Sequence, residues 1–68
     1  MTLLPISDVL KKTGTSRGFV SANVRAGRFP APIKLGPRKR MWDAKEIESW
    51  LQARIADRPA WNAGQVAA

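Results

Sequence analysis

A chain of 68 residues with no cysteine and no histidine has no means to form disulfides, Cys/His zinc sites or histidine-activated nucleophiles. Its net charge of +7 and sequence pI of about 11.3 point instead to a nucleic-acid partner. No apolar run approaches the roughly 20 residues of a membrane helix, and Met1-Thr2-Leu3-Leu4-Pro5 lacks a basic leader region, so a cytoplasmic protein without membrane contact is expected.

Leu3 to Ile6 is a short apolar lead. Ser7 or Asp8 can cap a first helix that buries Val9 and Leu10, and Gly14 can end it in the left-handed conformation. Ser16 is the N-cap candidate for a second helix over residues 17–26, with Val20 and Val24 facing inward and Gly27 as its stop. Two short helices joined by Gly-Thr-Ser read as a helix–turn–helix.

Phe29-Pro30-Ala31-Pro32 forms a stiff extended strap. Ile33-Lys34-Leu35 alternates like a strand, Gly36-Pro37-Arg38-Lys39 is a turn, and Arg40-Met41-Trp42 returns as a second strand. Asp43 caps the longest helix, with Glu46 completing a capping box. Ile47, Trp50, Leu51 and Ile55 share one face of that helix, and Pro59 ends it. The expectation is a mainly α fold, a small winged helix–turn–helix of three helices and a two-stranded β-hairpin wing over residues 1–58. A C-terminal tail occupies residues 59–68.

Charge is segregated along this framework. Between Asp8 and Asp43 there are nine basic residues and no acid. On the second helix Arg17, Gly18, Ser21, Ala22 and Arg25 point outward by the 3.6-residue period, with arginines at the ends and small residues between. Such a strip can approach the floor of a major groove closely. Ser16 and the first free N–H groups of that helix suit a phosphate. Arg38, Lys39 and Arg40 at the hairpin tip form a second cationic element, suited to a backbone or a minor groove. Arg28 and Lys34 extend the same face. No metal or other cofactor is expected, and no catalysis, because Ser7, Ser16, Ser21 and Ser49 have no activating base.

Thr13-Gly14-x-Ser16-Arg17, Gly27-Arg28-Phe29-Pro30-x-Pro32-Ile33-Lys34-Leu35-Gly36 and Trp42-x-x-x-Glu46-Ile47-x-x-Trp50-Leu51 together resemble the AlpA-type regulators of phages and prophages, over residues 3–55. The resemblance implies a DNA-binding protein of a mobile element, similar to excisionases and to the DNA-binding part of MerR-type regulators. It would regulate transcription, or direct excision by bending DNA beside an integrase. Members commonly continue Ser-Arg with Ser-Thr-Ile-Tyr-Arg; here the last two of those positions hold Ser21 and Ala22. Only Ser16, Arg17 and the basic hairpin therefore carry over as contacts, and specificity is expected from DNA shape and from several copies side by side.

Trp42, Trp50 and Phe29 have core spacing, and Phe19 packs on the core or meets a thymine methyl group. Trp61, alone in the tail, folds back or docks on a neighbouring copy. The rival reading from another class is a small basic RNA-binding module, which would need exposed stacking aromatics. A third is a module gripping an acidic protein.

Overall fold

Pro5 opens the first helix, although it has no side-chain oxygen to offer. The computed structural model describes residues 1–59, with the elements β1 (Leu3–Leu4), α1 (Ile6–Thr13), α2 (Arg17–Arg25), β2 (Ile33–Lys34), β3 (Arg40–Asp43) and α3 (Ala44–Asp57). Trp61 and residues 60–68 of the expected tail lie outside the described residues.

At the start of α1 the Pro5 carbonyl accepts the N–H groups of Asp8 and Val9 at 3.0 and 3.1 Å. Ser7 and Asp8, favoured as caps from sequence, instead lie within the first turn, and no side chain caps the helix. The fixed φ of proline already leaves the chain extended at the N-cap, so the helix starts earlier than a polar cap would place it. Asp8 still complements the positive end of the helix from the first turn.

The ends of α1 and α2 follow the expected chemistry. Gly14 (φ 67°) and Gly27 (φ 74°) are the two residues with left-handed backbone among those described. After α2, Gly27 N–H reaches Val24 O at 3.1 Å and Arg28 N–H reaches Asn23 O at 2.8 Å. This is the paired closure that satisfies orphan carbonyls at a helix end. Ser16 Oγ accepts the Phe19 N–H at 3.1 Å, fixing the start of α2.

The hairpin gains a strand that the sequence reading left as an apolar lead. β1 pairs antiparallel with β3 through Leu3–Asp43 and Leu4–Trp42. β2 pairs with the other edge of β3 through Ile33–Met41 and Lys34–Arg40. The order is β1-β3-β2, so the wing is tied through β3 to the chain ahead of α1. Asp43 ends β3 and caps α3, its Oδ1 accepting the Lys45 N–H at 3.0 Å. Glu46 makes no return bond among the described residues.

Val9, Val20, Phe29, Trp42 and Ile47 form the buried core, with Leu4, Ile6, Leu10, Val24, Trp50 and Leu51 packed around it. Each fully buried aliphatic side chain contributes about 1.5–3 kcal/mol relative to exposure. Ile55, expected on this face, is 52% exposed. The body is too small to reach the last turns of α3, which project past it.

Two indoles hold the strap. Trp42 Nε1–H donates to Pro30 O at 2.9 Å, and Trp50 Nε1–H donates to Arg28 O at 2.7 Å. Phe29 is buried between these anchors and meets Trp50 edge-on at 4.8 Å between centroids. Phe19 joins the same cluster, 6.5 Å from Phe29 and 6.3 Å from Trp50. It therefore packs against the strap and α3. Three helices and a small antiparallel sheet in this order make a small winged helix–turn–helix.

Candidate nucleic-acid interface

The exposed face of α2 follows from where its valines go. With Val20 and Val24 packed inward, a step of 100° per residue places Ala22 directly opposite the core. Gly18 and Arg25 lie beside Ala22, and Arg17 and Ser21 lie between that strip and the hairpin. All five are exposed. A Cβ added at Gly18 would meet nothing closer than Ser16 Oγ at 3.9 Å, so no contact within the chain requires glycine there.

Between α2 and the hairpin runs an open groove of about 470 Å³. Arg17 and Ser21 form one wall, Pro37, Arg38 and Arg40 the other, and Val20, Val24 and Trp42 contribute to the floor. The helix and the hairpin tip thus present their cations to one space. None of the five acidic residues lines it.

Lys34 and Arg40 are direct partners across β2 and β3, so their side chains leave the same face of the sheet. Trp42, two residues along β3, shares that face and lies on the groove floor. The turn beyond closes through Leu35 N–H to Lys39 O at 2.8 Å, with Lys39 N–H 3.4 Å from Gly36 O. That leaves Arg38 and Lys39 exposed at the tip.

Lys12 alone of the nine basic residues in the acid-free window has an acidic partner among the described residues, Glu48 at 3.5 Å. The remaining eight are uncompensated within 4 Å. The other ion pair, Arg54–Asp57 at 3.0 Å, lies at the far end of α3.

The predicted site residues do not all converge. Arg17, Ser21, Arg38 and Arg40 line the groove. Ser16 caps the helix beside it, where the N–H groups of Arg17 and Gly18 have no acceptor among the described residues. Gly18, Ala22 and Arg25 sit on the outer strip of α2, and Lys34 and Lys39 on the hairpin. Arg28 lies across the strap, in a separate depression with Lys45 and Arg54. Sequence reasoning missed the apolar and proline lining of the groove, Ile6, Pro32 and Pro37. Pro37 adjoins Arg38 in the chain, whereas Ile6 and Pro32 reach the groove only through packing that is long-range in the chain.

No helix among the described residues is long and apolar enough to cross a membrane. The sequence profile of the family described as prophage CP4-57 regulatory protein (AlpA) matches residues 2–55. A protein of Enterobacteria phage P4, named uncharacterized protein ORF88, is 33% identical over 55 residues. The match covers 81% of this chain and 62% of that relative. The chain thus spans less than two thirds of the length of the curated relative it matches.

Proposed function

The chain belongs to the family of the prophage CP4-57 regulatory protein (AlpA), and from that membership we propose that it binds double-stranded DNA sequence-specifically as a regulator of a mobile element. The observation that carries this reading is the convergence of Arg17, Arg38 and Arg40 on one groove that no acid lines. In this reading α2 enters a major groove, with Gly18, Ser21 and Ala22 letting its backbone approach the bases. Ser16 and the free N–H groups beside it take a phosphate. Arg25, Lys34 and the Arg38–Arg40 tip follow the neighbouring backbone or minor groove, while Arg28, across the strap, stands apart from these contacts. The protein acts in the bacterial cytoplasm, on the nucleoid.

The finer role has two forms, transcriptional regulation and direction of excision beside an integrase, and both use these contacts. Several copies bind side by side and bend the duplex. Trp61 is the candidate contact between copies, its alternative being to fold back on its own domain: in the first case Trp61→Ala removes cooperativity and leaves single-copy affinity intact.

A band-shift across the element's own promoter and attachment region tests the reading, with structured RNA as competitor at equal salt. Duplex retained at ~150 mM salt against excess RNA is the expected result; equal competition by RNA rejects it. A supercoiled-plasmid assay with the cognate integrase separates the two roles.

A further inference from the structure

A second depression, built from charge and aromatic surface together, lies between the strap and α3. Arg28, Phe29, Lys45, Glu46, Trp50 and Arg54 are among the residues lining this dish of about 690 Å³. It shares no residue with the groove between α2 and the hairpin. The strap divides the two, with Pro32 facing the groove and Arg28, Phe29 and Pro30 facing the dish. We propose that the dish docks an acidic segment of a partner protein, one with carboxylates around a single apolar or aromatic side chain, while the groove holds DNA.

The floor is aromatic and already fixed. Trp50 is pinned by its bond to Arg28 O at 2.7 Å and packed against Phe29 at 4.8 Å. The Arg54 guanidinium lies 5.7 Å from the Trp50 ring centroid. Tryptophan and arginine in a preorganised depression are the residues that dominate protein interfaces. Arg28, Lys45 and Arg54 supply three cations at the rim, Arg54 already paired with Asp57 at 3.0 Å, against the single lining carboxylate of Glu46.

The mixture of groups selects the occupant. A continuous phosphate backbone offers no donor to Glu46 and could not use the aromatic floor, because duplex bases are stacked on each other. A polypeptide offers carboxylates to the three cations, a backbone N–H or hydroxyl to Glu46, and an apolar side chain to Phe29 and Trp50. Residues 60–68 contain no acidic side chain, so these residues lack the complementary charge. A second copy is poorly supplied too: of the chain's five acids, Glu48 and Asp57 are in ion pairs and Asp43 caps α3.

The test titrates the full chain, free and bound to duplex, with a panel of synthetic twelve-residue peptides. Each peptide places aspartate and glutamate around one phenylalanine, tryptophan or leucine. Amide resonances are followed by NMR. Expected are shifts confined to residues 27–29 and 45–54 that persist on the DNA complex. Affinity should drop at least tenfold in K45E/R54E, and likewise in Ser49→Tyr, since Ser49 also lines the dish and the larger side chain fills it without altering charge. Both variants should bind duplex within twofold of the parent and melt at a similar temperature. The proposal is overturned if no peptide shifts these resonances, or if the shifts fall on the groove between α2 and the hairpin. Loss of salt-dependent duplex affinity in K45E/R54E would assign the dish to phosphate. Self-association abolished by that variant would assign it to a second copy. Dish resonances that move on Trp61→Ala in the free chain would assign it to the tail.

Discussion

Lys34 and Arg40 stand directly opposite each other across β2 and β3, two exposed cations with no acid paired to either among the described residues. Like charges at this spacing destabilise a hairpin. Arg38 and Lys39 crowd the turn beyond them. A hairpin shaped only for its own stability would place an acid at one of the paired positions. The arrangement is explained once an anion lies along the hairpin.

Lys34→Glu separates the two demands. It should stabilise the folded chain by about 0.2–1 kcal/mol, because it converts a repulsive cross-strand pair into an attractive one. It should also weaken duplex binding severalfold. Urea unfolding and band-shift at fixed salt read the two effects. A variant that loses stability, or binds duplex as well as the parent, contradicts the assignment of the hairpin to DNA.

Arg38→Ala and Arg17→Ala should differ in kind. Removing a phosphate contact at the tip weakens all sequences alike and lowers the log–log salt slope by about 0.9. Removing a base contact from α2 flattens the preference among sequences. Affinities for cognate and scrambled duplexes over a salt series check both outcomes.

Gly18→Ala should trade binding for stability. Glycine within a helix costs about 0.5–1 kcal/mol relative to alanine, and the new methyl would meet Ser16 Oγ at an unstrained 3.9 Å. The variant should melt higher yet bind duplex more weakly, since the methyl stands where α2 approaches the groove floor. Unchanged affinity would place that approach elsewhere on the helix.

Trp42→Phe should cost about 1–3 kcal/mol, because the Pro30 carbonyl loses its donor in a part-buried site and the smaller ring leaves space beneath the strap. Equilibrium urea unfolding measures the loss directly. At protein concentrations where the variant remains folded, its duplex preference should broaden, since the strap sets how the hairpin sits beside α2.

Local chemistry made most of the framework legible. Ser16, Gly14, Gly27, Asp43 and the proline pair each act through neighbours within five residues, and each does in the fold what its type predicts. Of the charge window, Arg17, Arg38 and Arg40 line one groove. Most of the misses share a physical cause, which is long-range packing; the cap of α1 is the local exception. Leu3–Leu4 is too short to announce a strand, and becomes one only because β3 offers it an edge. Pro5 displaced the expected polar caps of α1. Ile55 carries the right period, but the period does not reveal where the body beneath it ends. Arg28 sits among the other basic residues in the chain, yet the strap turns it to the opposite side.

The bonds from Trp42 to Pro30 and from Trp50 to Arg28 have a mechanical result. Held through the carbonyls of Arg28 and Pro30 by indoles from α3 and β3, the link between α2 and the hairpin works as a caliper whose opening is set by the fold itself. On the proposed reading, a duplex would have to adapt to that fixed opening, and sequences with pliable pyrimidine–purine steps would do so at least cost. On that reading the protein would sort duplexes by stiffness, at base pairs that no side chain reaches.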